Sequence, residues 1–169
     1  EFEDSVILDS SLIDSSLLVE GFTRTDISDS DFIDCSFRDV CFFDLKLFAT
    51  EFSDSDLVGV NLTGVEFTGG NISARRIEDV QFVSTEVDSV DFSCADLENV
   101  VFVGSSLSDI NLYRATLHNV QFSVSSLTRV VFAMASLDTV GFHRLPEVSD
   151  EQSDTLMFFD RASLGRVDT

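Results

Sequence analysis

Large apolar residues recur at every fifth position along most of the chain. From Phe2 to Phe142, all 29 positions of this series are Phe, Leu, Ile or Val. Hydrophobic residues make up 44% of the sequence, so chance does not produce an unbroken series of this length. A helix repeats after about 3.6 residues and a strand after about two, and neither gives a period of five. The pattern therefore predicts a chain that bends once in every repeat.

A second, longer period is superimposed on the first. Two residues before each large position stands mainly Ser, Thr, Ala, Cys or Val, which suits a narrower inward slot. Val occupies position 40 and every twentieth position from there to 140. The structural unit is therefore 20 residues long and consists of four pentapeptides. This predicts a solenoid whose coils have four sides, with equivalent residues stacked in columns.

The five-residue unit resembles the motif of the pentapeptide-repeat family, in which a small residue is followed by Asp or Asn and then by Leu or Phe. Ser55-Asp56-Leu57 and Ala95-Asp96-Leu97 are clear copies. The resemblance covers residues 1–145 and implies an all-β fold, a right-handed quadrilateral β-helix of about seven coils. Resistance-type relatives in this family carry long projecting loops, and this sequence contains no insertion that would form one.

The pattern stops after Phe142, and residues 146–169 are predicted to be a C-terminal cap. Pro146 breaks the repeat, and Ser149 with Gln152 fits a capping box, which predicts a helix near 150–162. This segment either covers the last coil or forms a homodimer contact, as the resemblance implies for some relatives. The residues predicted for the dimer contact are Leu156, Phe158 and Phe159.

Two of the small slots hold charged residues, Glu20 and Arg75. An unpaired charge inside an apolar core is expensive, so we expect a local bulge that turns each side chain outward. The alternative is a functional irregularity between Gly69 and Arg76.

The net charge of the chain is −21, and most of it lies toward the N-terminus. Residues 1–100 carry 23 acidic and 5 basic residues, whereas residues 101–145 carry 2 and 3. Such a surface repels nucleic acid and anionic membranes and attracts basic protein surfaces. Net −18 over five coils is roughly one charge per 1.3 Å at the usual strand spacing, against about 1.7 Å for duplex DNA.

This similarity in charge density suggests that the rod imitates DNA. The resemblance agrees, because some pentapeptide-repeat proteins bind DNA gyrase, a type II topoisomerase, in place of DNA and confer quinolone resistance. The residues predicted to replace phosphates share one side of the rod: Asp31, Asp34, Glu51, Asp54 and Asp91. An even acidic coat is also what solubility alone would require.

A second predicted surface contains exposed apolar residues, among them Phe43 and Val103, on the least acidic side. A continuous apolar strip can mark a contact site, although β-propensity alone would also place such residues on a sheet. The corresponding function is a structural or protein-interaction scaffold unrelated to DNA mimicry.

The sequence offers little for catalysis. Cys35, Cys41 and Cys94 have no metal-ligand spacing, and His118 and His143 fall in outward slots on different sides. We therefore expect no enzyme activity, no metal and no cofactor. The thiols and the lack of a recognisable signal peptide or membrane span predict a cytoplasmic protein.

Overall fold

The computed structural model describes residues 2–3, 6–8, 10–13, 16–17, 21–123, 126–143 and 157–168. These residues form strands, turns and bends, with no helix among them. In chain order the strands are β1 (Phe2–Glu3), β2 (Val6–Leu8), β3 (Ser11–Ile13), β4 (Ser16–Leu17), β5 (Gly21–Thr23), β6 (Asp26–Ser28), β7 (Asp31–Ile33), β8 (Ser36–Arg38), β9 (Cys41–Phe43), β10 (Lys46–Glu51), β11 (Asp56–Val58), β12 (Asn61–Thr63), β13 (Glu66–Asn71), β14 (Arg76–Glu78), β15 (Gln81–Val83), β16 (Glu86–Asp88), β17 (Asp96–Glu98), β18 (Val101–Val103), β19 (Ser106–Ser108), β20 (Thr116–Ser123), β21 (Ser126–Thr128), β22 (Val130–Val131), β23 (Ser136–His143), β24 (Met157–Phe158), β25 (Ser163–Leu164) and β26 (Val167–Asp168).

Up to residue 143, strands pair in parallel with the strands of the neighbouring coils at an offset of 20 residues, whereas β24, β25 and β26 pair at an offset of 27 residues. Phe22 lies beside Phe42, Ile77 beside Leu97 and Phe102 beside Phe122. The predicted all-β solenoid with a 20-residue coil is confirmed. Residues 21–143 make about six turns of it. Crossovers between parallel strands are almost always right-handed, and this preference supports the predicted hand.

We number the four sides by the residues of one coil. Side 1 is 21–24, side 2 is 26–29, side 3 is 31–34 and side 4 is 36–39, each repeating every 20 residues. In a four-sided coil, side 1 lies opposite side 3. Coils are spaced at about the usual distance between neighbouring strands, 4.8 Å.

A corner separates each side from the next, and it is made by one residue with positive φ. Such a residue occurs at every fifth position from Arg24 to Thr139 in the described chain, with one exception at Ala74. Seven of these corner residues are Asp, two are Asn and four are Gly. These are the residue types that best tolerate the left-handed region, which is why the repeat favours them there.

The core is built from the predicted large slots, which are buried from Phe22 to Phe142. On side 1 the aromatic rings stack directly on one another. Phe82 and Phe102 have ring centroids 4.5 Å apart, and the Phe102–Phe122 and Phe122–Phe142 pairs are both at 5.1 Å. Leu62 interrupts this column between Phe42 and Phe82. Stacking at these distances adds to the free energy gained from burial alone.

The narrow slots accept hydroxyl groups because each hydroxyl finds a hydrogen-bond partner, in several slots a carbonyl of the preceding coil. The Ser55 Oγ donates to the carbonyl oxygen of Phe32 at 2.8 Å, and the Thr50 Oγ1 to that of Ile27 at 3.2 Å. No buried side-chain nitrogen or oxygen of the described residues lacks a partner. Ser and Thr in these slots therefore avoid the penalty of an unsatisfied buried group.

The one irregular corner lies at Ala74–Arg75. Ala74 is buried in place of Arg75, and it lacks the positive φ found at the other corners. The side chain of Arg75 is 64% exposed and pairs with Asp56. The prediction that Arg75 turns outward is confirmed. The other charged slot, Glu20, lies outside the described residues.

The predicted C-terminal helix near 150–162 is wrong for the part that the structure describes. Residues 157–162 are strand and turn, and β24 pairs in parallel with β22. Phe159 stacks on Phe132 with ring centroids 4.8 Å apart. The chain gains more by extending the core of the solenoid than by forming an isolated helical turn. The predicted domain boundary after residue 145 lies outside the described residues.

Gly70, which follows the corner residue Gly69, provides a test of the close approach between neighbouring coils. It has φ +103°, and a Cβ there would overlap the carbonyl oxygen of Thr50 in the preceding coil. We expect Gly70→Ala to lower the free energy of unfolding by at least about 2 kcal/mol. Gly104→Ala is the matched control, because it has φ +60° and a Cβ there would make only an ordinary contact, 3.8 Å from the Ser84 Oγ. It should cost only about 1 kcal/mol. Urea denaturation measures both, and equal losses would contradict this explanation.

Candidate functional site

Four of the five predicted acidic residues lie together on side 3. Asp31 and Glu51 are paired on neighbouring coils, and Asp34 and Asp54 occupy the corners beside them. Glu51, Asp34 and Asp54 are exposed, and Asp31 is partly exposed. We call these four residues the acidic patch. Neighbouring coils place the carboxylates close enough to act on one basic surface.

Asp91 does not belong to this patch. Asn71 lies between it and Glu51, so two coils, or about 10 Å, separate the two acidic residues. The Asp91 Oδ1 accepts hydrogen bonds from the backbone N–H of Ser93 at 2.8 Å and from the Asn111 Nδ2 at 3.0 Å. The Asp91 carboxylate therefore stabilises the turn at Ser93 and links its coil to the next one through Asn111.

The backbone explains part of the acidity without reference to a partner. Asp34 and Asp54 have φ of 52° and 54°, values that few residue types adopt readily. Asp31 and Glu51 are different, because they stand on strands where Asp and Glu have no conformational advantage. Asp31 and Glu51 are therefore the two members of the patch whose charge the fold does not require.

Arg75 limits the acidic patch on its C-terminal side. Its guanidinium donates to the Asp56 carboxylate at 3.1 and 3.2 Å. These hydrogen bonds, together with attraction by Asp56 and then by Asp34 and Asp54, hold the pKa of Arg75 above its ordinary value. The patch is therefore confined to two coils instead of continuing along the rod.

Phe43 and Val103 lie on the opposite side of the rod from the acidic patch. Both stand in the outward column of side 1, three coils apart, and each is 44% exposed. The outward positions of the side 1 strands hold no Asp, Glu, Lys or Arg between residues 21 and 143. The outward strand positions of side 1 therefore form a long uncharged row on a strongly acidic protein, and charge enters this side only at the corners Arg24 and Asp44 within the described residues.

Sequence reasoning missed a second outward aromatic residue, Phe48, which is 52% exposed on side 2. It is on the same coil as Phe43, one corner further along the chain. The sequence does indicate this residue. Phe43 and Phe48 are the two Phe residues between 21 and 143 that fall outside the five-residue series, so both are expected to face outward.

The predicted dimer residues lie only partly within the described chain. Leu156 is outside it, Phe158 belongs to β24, and Phe159 packs on Phe132. Leu164 follows on side 4, paired with Leu137, and is 57% exposed. The end of the solenoid thus presents apolar side chains and a strand edge.

The other candidate groups behave as the sequence predicts. Cys35 is buried, whereas Cys41 and Cys94 are exposed. His118 lies 3.1 Å from an Asp138 oxygen and His143 lies 3.0 Å from the Gln121 Oε1, both at the surface. Within the described ranges no group of three or more His, Cys, Asp or Glu residues could hold a metal ion. The same residues contain no helix long and apolar enough to span a membrane.

Comparison with known families gives one match. The model of the family described as "Pentapeptide repeats" matches residues 91–129 with eight copies. The buried series of the structure extends beyond this match on both sides, from Phe22 to Phe142. No curated protein matches the sequence.

Two solved structures are similar to this chain at low sequence identity. HetL, a protein involved in heterocyst differentiation regulation from the cyanobacterium Nostoc sp. strain PCC 7120, is 16% identical, with a TM-score of 0.40 over 99% of this chain and 88% of HetL. A trypsin-treated variant of QnrB1, a plasmid-mediated fluoroquinolone resistance protein, is 14% identical, with a TM-score of 0.46 over 97% and 91%.

Proposed function

We propose that this chain, which is a pentapeptide-repeat protein, works by binding a protein partner rather than by catalysis. The proposed partner has a basic, DNA-binding surface of the kind found in DNA gyrase and other type II topoisomerases. The acidic patch of Asp31, Asp34, Glu51 and Asp54 would occupy this surface as a DNA mimic. The observation that carries the proposal is the concentration of acidic charge in residues 1–100, with this patch on neighbouring coils.

The physical reason is electrostatic. A surface built to hold phosphates presents Lys and Arg, and its affinity for any polyanion falls steeply with salt. A rigid rod carries its carboxylates at fixed spacing, so little conformational entropy is lost when it docks. Asp31 and Glu51 are the residues most open to this role, because no corner geometry requires their charge.

Charge reversal at Asp31 and Glu51 tests the proposal. We expect the Asp31→Lys/Glu51→Lys variant to bind DNA gyrase at least about tenfold more weakly and with a smaller salt dependence. The matched control is Glu86→Lys/Glu98→Lys, which changes the net charge equally at exposed positions on sides 2 and 4. Supercoiling assays with and without a quinolone provide the functional measurement. A wild-type protein that neither binds gyrase, inhibits supercoiling nor protects against the quinolone would end the proposal.

A second candidate function is a protein-interaction scaffold that uses side 1. It is favoured by the uncharged outward face that carries Phe43 and Val103. Burial of a flat, uncharged face depends on apolar contact and is therefore insensitive to salt. The two functions use opposite sides of the rod, so separate variants can test them.

For the scaffold function, Phe43→Asp and Val103→Asp should each remove a partner that remains bound to the wild-type protein in high salt. Ser136→Asp, an exposed change on side 4, is the control and should leave that partner bound. Pull-down at low and high salt measures the effect. A partner that high salt releases from the wild-type protein would argue for the acidic patch instead.

We further propose a homodimer through the C-terminal end, formed by Leu156, Phe158 and Phe159 together with Leu164. An exposed leucine beside an open strand edge is a surface that natural solenoids cover. We expect the wild-type protein to sediment as a dimer and Leu164→Glu to sediment as a monomer. Phe43→Thr, a change far from this end, should stay dimeric. A monomeric wild-type protein at the highest concentration tested would rule out this contact.

A further inference from the structure

Phe48 is an aromatic ring that the described part of the chain leaves about half exposed. The positions beside it on the neighbouring coils are Ser28 and Thr68, both short side chains. The ring is 52% exposed, although the large inward Phe residues between 21 and 143 are buried. One face of a large ring is therefore available to a ligand or a partner.

A depression of about 260 Å³ lies beside this ring. Apart from Phe48, its lining contains the polar and charged residues Asp26, Ser28, Lys46, Glu66 and Thr68. Asp26, Lys46, Glu66 and Glu86 follow one another on successive coils of side 2. We call the ring and these lining residues the Phe48 depression.

The depression already holds one cation of the protein. The Lys46 Nζ lies 2.7 Å from the Glu66 Oε2, and both side chains are largely exposed. The hydrogen bond to Glu66, and then the charges of Glu66, Asp26 and Glu86, raise the pKa of Lys46 above its ordinary value. Two lining carboxylates, Asp26 and Glu66, against one ammonium leave a net negative charge beside an aromatic face, and Glu86 adds to it from the next coil. The position thus favours cations beyond the one that it contains.

We propose that the Phe48 depression receives an arginine side chain from a basic segment of a protein partner. A guanidinium group is planar, so it stacks on the exposed ring while its edge donates two hydrogen bonds to a carboxylate. Asp26 and Glu66 offer that carboxylate at either side of Lys46. A lysine ammonium fits less well, because it is more strongly hydrated and cannot stack as a plane.

The two exposed Phe residues, Phe43 and Phe48, provide an internal comparison. Phe43 has nearly the same exposure as Phe48, and its neighbours Thr23 and Thr63 are also short. It stands on side 1, where the outward strand positions between residues 21 and 143 carry no Asp, Glu, Lys or Arg, and it is not among the residues that line the depression. If any exposed aromatic ring bound the peptide through apolar contact, Phe43 and Phe48 would contribute equally to the affinity. An arginine site would depend on Phe48 alone. This proposal does not depend on the topoisomerase function, since it concerns side 2 and any arginine-bearing segment.

The test is binding of a fluorescein-labelled peptide with four Arg residues separated by Gly-Ser, measured by fluorescence anisotropy at physiological salt. We expect Phe48→Thr to weaken binding at least about fivefold. Phe43→Thr should leave binding unchanged. Both substitutions introduce the residue found at the same position of the next coil, so both variants should fold, and thermal unfolding checks this.

Two further measurements sharpen the result. Lys46→Ser should tighten binding, because it removes the competing cation from between Asp26 and Glu66. A peptide with Lys in place of Arg should bind the wild-type protein more weakly. The proposal is overturned if the Arg peptide fails to bind, if Phe48→Thr loses no more affinity than Phe43→Thr, if Lys46→Ser weakens binding, or if the Lys peptide binds equally well.

Discussion

The left-handed corner at every fifth residue is the constraint on which the rest of this protein depends. Each corner turns the chain from one side of the coil to the next, so that two residues of every five point inward. After four corners, each residue lies beside the residue 20 positions earlier. Parallel pairing between coils then satisfies the backbone, and the inward residues of successive coils form continuous columns. The Phe stack on side 1 and the hydroxyl-to-carbonyl bonds of the narrow slots both follow from this register.

The same corner changes how the surface charge is interpreted. Positive φ favours Asp, Asn and Gly, so a rod built from such corners becomes rich in carboxylates even without a binding role. Asp34 and Asp54 are explained in this way, and Asp91 is explained by its hydrogen bonds to Ser93 and Asn111. Asp31 and Glu51 remain, and they are where a functional interpretation of the charge is strongest. The structure thus reduces five candidates to two that the fold itself does not account for.

The four sides of the rod differ in chemistry, although they share one backbone geometry. Side 1 is uncharged at its outward strand positions, side 2 combines Phe48 with Lys46 and the carboxylates of Asp26 and Glu66, and side 3 bears the acidic patch. Solenoids present such faces as flat surfaces with regular spacing, which suits recognition of other macromolecules better than enclosure of a small substrate. Each proposed function therefore uses a different side and can be removed without disturbing the others.

The sequence by itself determined the period of five, the coil of 20, the residues of the core and the outward turn of Arg75. All of these follow from a local sequence pattern. Because the pattern repeats, many copies support each inference. Only the tertiary structure decided the C-terminal end, where spacing suggested a helix. There the pairing offset is 27 residues instead of 20, so the pattern of small and large inward positions resumes in a new frame. The residues at these positions are Met157, Phe159, Ala162 and Leu164. It also decided that Asp91 is a structural residue and that Phe48 stands uncovered, since both depend on which side chains the neighbouring coils supply.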